Sequence, residues 1–245
     1  MKLTRKQWEI VTITGFIGSF FPVYLFAFAE TEIDSAIASI LNATTPLMTL
    51  IFGVIFFGII LTKNKGLGVT LGLLGAVGLV VSGANVNPDQ NYLYSGFVIL
   101  AAACYAVNVN FIKMYMSDIS ALGIATGNFI VLLIPATVIL YFSGFTISTA
   151  ITNPEISLSI IYVLILGVVG TGIALIIFNK LIHISDPVFS SSVTYTIPIV
   201  GLAWGFWDGE IFSLLQLFSA FVILLGVLLV NKKKSSNRVK KEQVV

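Results

Sequence analysis

The sequence predicts an all-α integral membrane protein of about eight transmembrane helices, with both termini cytoplasmic. Three observations lead there. Hydrophobic residues make up 57% of the 245 residues and charged residues only 10%, with a mean hydropathy of +1.02. A soluble domain carries about 25% charged residues because its surface must meet water, so most of this exterior must meet lipid. The apolar residues fall in long runs rather than alternating, which rules out membrane strands. All 13 Lys and Arg residues then fall on one side of the helices so threaded.

The spans are expected near Trp8–Ala29, Ser35–Leu61, Gly66–Ala84, Tyr94–Ile112, Ala121–Phe142, Ser157–Asn179, Pro187–Trp207 and Phe212–Asn231. Each approaches the roughly 20 apolar residues needed to cross a hydrocarbon core at about 1.5 Å per residue. Charges are excluded from the interiors because a Lys or Asp at a helix centre costs about 2.5–3.5 kcal/mol. The N-terminal Lys2, Arg5 and Lys6, the connections bearing Lys63, Lys65, Lys113 and Lys180, and the tail from Lys232 to Lys241 all come out internal. The opposite connections carry Glu30, Glu32, Asp34, Asp89, Glu155, Asp208 and Glu210. The basic tail has two readings, an orientation signal or a binder of anionic membrane lipid. The N-terminal run ending Ala27-Phe28-Ala29 also resembles a cleavable signal peptide, but an internal repeat assigns it to the fold.

In that repeat, the shift that lays Gly18 on Gly170 also lays Phe26 on Phe178, Asp34 on Asp186, Ser39 on Ser191, Pro46 on Pro198, Leu50 on Leu202 and Gly53 on Gly205. One residue of slip brings Gly58 to Gly209 and Gly75 to Gly226. Each copy is a trio of helices whose middle member bears a proline, and the trios run in opposite senses. Inverted-topology repeats of this kind are typical of secondary transporters. The expected division is an incomplete first repeat over residues 8–84 (three helices), a five-helix repeat over 94–231 and a basic cytoplasmic tail over 232–245. Two helices that would complete the first repeat are missing, so the start is either truncated or a genuine eight-helix variant.

Several stretches together resemble the EamA-type proteins of the drug/metabolite transporter superfamily. Asp34-Ser-Ala-Ile-Ala-Ser-Ile-Leu-Asn-Ala-Thr-Thr-Pro46 is similar to that family's proline-bearing helix, and Asp186-Pro-Val-Phe-Ser-Ser-Ser-Val-Thr-Tyr-Thr-Ile-Pro198 to its second copy. Gly167-Val-Val-Gly-Thr-Gly172, Trp207-Asp-Gly-Glu210 and the final helix around Gly226 resemble its glycine-rich helix, Gly-Glu junction and last span. The resemblance implies a ten-helix carrier of two inverted five-helix repeats that moves small metabolites, amino acids or drugs, often outward. This chain departs from it at Ile59, where the first repeat's junction lacks the usual glutamate that Glu210 retains.

Secondary transporters bind substrate at mid-membrane beside interrupted helices. Proline lacks an N–H and clashes with the carbonyl four residues back, so Pro46 is expected to free the carbonyl of Asn42, and Pro198 that of Thr194. Thr44 and Thr196 match across the repeat, and Thr45 and Tyr195 add hydrogen-bonding groups. These residues either line a substrate site or are merely a kink with threonines bonded back to their own helix. Asn108 and Asn110 are further candidates for substrate binding or for a plain interhelical bond, and Asn128 beside Thr126 has the same two readings. Glu210 is a loop charge or a gate or proton-coupling group. Glycines such as Gly68 and Gly72 point to close helix packing.

No catalytic triad, phosphate-binding glycine loop or metal cluster can be assembled from one histidine (His183) and one cysteine (Cys104). An enzyme is therefore not expected, nor any cofactor or metal, nor nucleic acid as a partner. The expected partners are a small-molecule substrate and membrane lipid, with a homodimer left open. A non-transporting scaffold or subunit, or a truncated inactive carrier, stands as the rival to transport.

Overall fold

The computed structural model describes residues 3–86, 89–144, 154–210 and 212–231, with the side chains of residues 83–86, 154–155, 157, 192, 195–196 and 199 set aside. Those residues contain helices and no strand. The first span joins α1 (Arg5–Gly15) to α2 (Phe21–Ala29) through a π-helical turn, Phe16–Phe20. Then follow α3 (Ser35–Asn42), α4 (Thr45–Phe56), α5 (Lys63–Val86), α6 (Ser95–Tyr115) and α7 (Ala121–Phe142). The second part holds α8 (Pro154–Ile165), a π-helical stretch Leu166–Ile173, α9 (Ala174–Ile184), α10 (Pro187–Ser191), a 3-10 turn Ser192–Tyr195, α11 (Thr196–Trp207) and α12 (Leu214–Asn231).

Seven helices among the described residues are long and apolar enough to cross a membrane. The expected span Pro187–Trp207 is instead divided among α10, the 3-10 turn and α11. The expected Ser35–Leu61 helix stops at Phe56. Gly58, at φ +67°, takes a left-handed conformation there that only glycine adopts without strain, and the Ile59 N–H turns back to the Gly53 carbonyl at 2.9 Å. The second copy ends in the same way. Gly209 has φ +84°, the Glu210 N–H bonds to the Gly205 carbonyl at 2.9 Å and the Gly209 N–H reaches the Phe206 carbonyl at 3.4 Å, a Schellman cap.

Packing places the two proline-bearing segments at the centre. The Ser35–Phe56 span is the most enclosed, 61% buried, whereas Leu158–Ile184 has 0% of its window buried. The contacts between the copies are reciprocal: α3 packs on α11 and α4 packs on α10. Because the first half of one broken helix meets the second half of the other, the two lie antiparallel. Helices α5 and α12, also repeat counterparts, form the closest pair in the bundle. A Cβ on Gly68 would meet Gly226 and Val230, and one on Gly75 would meet Ile223 and Ser219, so this pair is antiparallel as well. Lipid offers no hydrophobic drive between helices, so backbones brought together by small residues supply the attraction through van der Waals contact.

The polar ends differ. At one end, the Gln7 side chain donates to Asp118 at 2.8 Å and Lys113 Nζ donates to the His183 carbonyl at 2.8 Å. At the other, Gln90 Nε2 donates to Asp34 at 2.6 Å and the Ser35 hydroxyl to Glu210 at 3.0 Å. The basic tail, residues 232–245, lies outside the described residues.

Candidate functional site: the crossing of two broken helices

The break in the first broken helix has a local cause. Pro46 sits in the first turn of α4, where its missing N–H is harmless. Just before it the chain tightens, with Ala43 N–H bonded to Ile40 O at 3.1 Å and Thr44 N–H to Leu41 O at 3.0 Å. The carbonyl of Asn42, expected to be free, accepts the Thr45 hydroxyl at 2.7 Å, which also touches Asn42 Oδ1 at 3.1 Å. Thr44 bonds back to Leu41 O at 2.7 Å, and Thr49 to Thr45 O at 2.8 Å. The threonines thus cap their own helix, and the break is closed by side chains rather than left as bare backbone.

Asn42, Thr44, Thr45 and Pro46 are all buried. In the second copy the break falls at the 3-10 turn, which contains Thr194, the residue four before Pro198. Pro198 is buried inside α11, and the half-buried Thr194 donates to Ser191 O at 2.8 Å. The side chains of Tyr195 and Thr196 lie outside the described residues. The 3-10 turn itself packs against α4, bringing the two breaks together.

Around this crossing runs a seam of buried amides. Asn110 donates across the helix boundary to Thr49 O at 3.1 Å and back to Ala106 O at 2.9 Å. Asn108, on the other side of α6, lies against the bare Cα of Gly18 in the first π-helical turn, and its Oδ1 is buried without a hydrogen bond among the described residues. Asn128 faces Thr14, whose hydroxyl donates to it at 3.3 Å. Asn179, wholly buried, has neither amide atom hydrogen-bonded among the described residues. Unsatisfied buried amides cost roughly 1–3 kcal/mol each, and in a membrane bundle they mark an interior or a water-filled path. An interhelical bond is one of the two readings the sequence offers for Asn110, but nothing in the sequence points to the Thr49 carbonyl as its acceptor.

Glu210 closes the acidic end. The turn at Gly209 directs its side chain onto the start of α3, where Ser35 donates to Oε1 at 3.0 Å and Oε2 rests on the bare Cα of Gly205. Burial pushes the carboxyl above the usual range, opposed by the Ser35 hydroxyl and reinforced by the charge of Asp34. Neighbouring Glu30 is raised by burial and then by Glu210. At the basic end the matching junction bears Ile59, and beside it opens a cavity of about 730 Å³ with Lys63, Lys65 and Asp186 in its walls.

Long apolar helices, two central helices interrupted and crossed, and a buried polar seam define a polytopic membrane carrier fold. The comparisons make the class specific. The sequence profile of the EamA-like transporter family matches residues 1–81 and 93–232, so the chain belongs to the EamA-like transporter family, a family of transporters rather than enzymes. It is 28% identical to the uncharacterized transporter YdfC of Bacillus subtilis (strain 168), over 249 residues that cover 96% of this chain and 79% of that protein. One solved crystal structure shares its fold with a TM-score of 0.63 at 17% identity, over 94% of this chain and 77% of the other.

Proposed function

We propose that this member of the family is a secondary carrier that exports small metabolites, amino acids or drugs across the cytoplasmic membrane by alternating access. The observation that carries this reading is the reciprocal antiparallel crossing of the two broken helices, α3 on α11 and α4 on α10. Two interrupted helices that meet at their breaks can rock against each other while a central site stays fixed, which is how inverted-repeat carriers alternate.

In this reading Pro187–Trp207 counts as the eighth span, residues 8–84 and 94–231 are the two inverted repeats, and both termini are cytoplasmic. The collection of Lys63, Lys65, Lys113 and Lys180 at one end supports that orientation. Substrate would lie among Asn42, Thr44, Thr45, Pro46, Asn108, Thr194, Tyr195, Thr196 and Pro198. With the threonine hydroxyls donating to their own helix, the residues left to offer donors are the asparagines, and the threonines offer lone pairs. Glu210 is the outer gate, since opening that face must part α3 from α11 and break the Ser35–Glu210 bond.

The test is uptake of a labelled panel of neutral metabolites, amino acids and drugs into vesicles of purified protein. The reading expects at least one compound to be moved, and Pro46→Ala or Pro198→Ala to weaken its binding while membrane levels persist. A folded protein that moves none of the panel would favour the scaffold role.

A further inference from the structure

The first span is interrupted at its middle, and the interruption leaves backbone acceptors unpaired in the membrane interior. That span runs Arg5–Ala29, so Ile17 is its central residue. In the π-helical turn Phe16–Phe20 each N–H reaches five residues back, and the Phe21 N–H bonds to the Phe16 carbonyl. The Ile17 carbonyl thereby loses its α-helical partner, Phe21. Its π-helical partner would be Pro22, which has no N–H. The Gly18 carbonyl loses its α-helical partner to the same proline. Backbone freed at this depth is tolerated only where it is buried in protein or lines a water-filled cavity, and π-turns of this kind recur at functional sites.

Asn108 adds a third acceptor. Its side chain lies on the bare Cα of Gly18, whose own nitrogen is bonded to the Ile17 carbonyl carbon, so the amide and the freed carbonyls are close neighbours. Asn108 is only 6% exposed, and its Oδ1 is buried with no hydrogen bond among the described residues. Tyr105 stands one turn from Asn108 on the same face of α6, and Phe26 one turn beyond Pro22 on α2. Their half-buried rings meet with centroids 6.3 Å apart and planes at 30°, and ring faces attract cations. The second copy lacks these features. Ala174 stands at the repeat position of Pro22 and its N–H bonds to the Thr171 carbonyl, and a Cβ on Gly170 would meet only Leu166. The broken helix offers no anion site to balance this. In the first turn of α4 the Leu47 and Met48 N–H groups are spent on the Thr44 carbonyl at 2.9 and 3.1 Å, and Pro46 has none.

We propose that the π-helical turn of the first span is a subsite for the protonated amine of a small organic molecule, with the Ile17 and Gly18 carbonyls and Asn108 Oδ1 accepting its N–H groups. An ammonium has three donors and no acceptor, which matches the three acceptors left over here. In place of a carboxylate, the carbonyl dipoles and the ring faces of Tyr105 and Phe26 hold the charge. The inference rests on the carrier reading for its purpose, since it gives the transported solute an amino group and makes the first span its holder.

The experiment is calorimetric titration and thermal unfolding of the purified full chain in neutral maltoside at about pH 7, where an alkylamine is protonated as lysine is. Three probes of similar length are compared at constant ionic strength: n-pentylammonium, n-pentyltrimethylammonium and hexanoate. Pentylammonium should bind and raise Tm, whereas the trimethyl analogue, with the same charge but no N–H, and the anion should do neither. Asn108→Leu removes the side-chain acceptor at similar volume, and Pro22→Ala returns an N–H to the turn. Each should weaken pentylammonium by roughly tenfold or more, the worth of a hydrogen bond to a charged group. Thr12→Val, which removes a hydroxyl bonded to the Trp8 carbonyl of the same helix, should not. A cooperative melt without probe shows that each variant is folded, and the two variants act on different acceptors, so loss of one leaves the other to decide. Equal binding of either control probe, no binding of pentylammonium by folded protein, or unchanged affinity in either folded variant overturns the proposal. Vesicle transport of a solute without an amine, by protein that does not bind pentylammonium, would overturn the subsite alone and leave the carrier reading in place.

Discussion

The antiparallel seam between α5 and α12 makes a quantitative prediction at Gly226. A Cβ built there would lie 2.5 Å from the Gly68 carbonyl oxygen, 2.6 Å from the Gly72 nitrogen and 2.9 Å from the Gly72 Cα. All three are backbone atoms, so no side chain can swing aside. Restoring contact near 3.5 Å requires the helices to part by roughly 1 Å. A gap of that size forfeits about a quarter to a half of each dispersion contact, and contacts are worth about 0.1–0.2 kcal/mol apiece. A seam on the order of 50 atom pairs, comparable to one buried leucine, would then lose about 1–5 kcal/mol. Alanine's better helix propensity returns at most about 1 kcal/mol. Gly226→Ala should therefore destabilise the protein by about 1–3 kcal/mol, the usual range for overpacking. Gly66→Ala and Gly96→Ala, whose new methyl groups meet nothing within 4 Å, should be neutral or slightly stabilising. Unfolding in mixed micelles by added SDS measures all three. Stability of Gly226→Ala equal to that of the two controls would refute the close antiparallel packing of the repeat counterparts.

Two further outcomes follow from the site. Burial lifts the carboxyls of Glu210 and Glu30, so the folded chain holds protons at pH values where the unfolded chain has released them. Stability is then greatest below the unfolded carboxylate range and falls as pH rises through the shifted folded values. Glu210→Gln should flatten that fall, as read from Tm between about pH 4 and 8, and an unaltered slope would exclude Glu210 as a source. Asn110→Ala removes the bond that ties α6 to the Thr49 carbonyl; a loss of about 0.6–1.7 kcal/mol is expected from such bonds in membrane bundles, and no loss on SDS unfolding would deny that the bond fixes the helix pair.

The elements most legible in the sequence were those dictated by lipid. A run of apolar residues with charged ends has few options, and Ala121–Phe142 appears with the expected bounds. The proline-bearing segments were legible as interruptions because Pro46 and Pro198 cannot donate. What fills the break at Asn42 was not legible, since Thr45 could equally face a substrate or cap its own helix, and only the rotamer decides. The over-long Ser35–Leu61 helix has a clear cause, because every residue from Val54 to Leu61 is apolar or glycine and hydropathy does not register a left-handed Gly58. Two π-helical stretches, at the repeat-related glycines Gly18 and Gly170, leave no compositional trace at all. The partners of Glu210 and Asn110 were hidden because Ser35 and Thr49 are distant in sequence.

The central claim is that the two crossed, broken helices separate at the acidic end during each transport cycle. Ala36 and Gly205 face each other there, with a Cβ on Gly205 lying 3.1 Å from that of Ala36, close enough for a disulfide after slight relaxation. A chain with Ala36→Cys and Gly205→Cys, in a Cys104→Ser background, can be locked by oxidation and released by reductant, with Gly205→Ala as the reference for the displaced Glu210 carboxylate. In vesicles loaded with a transported compound, the account predicts transport by the reduced protein, arrest on oxidation and recovery on reduction. Undiminished transport by fully cross-linked protein would contradict it.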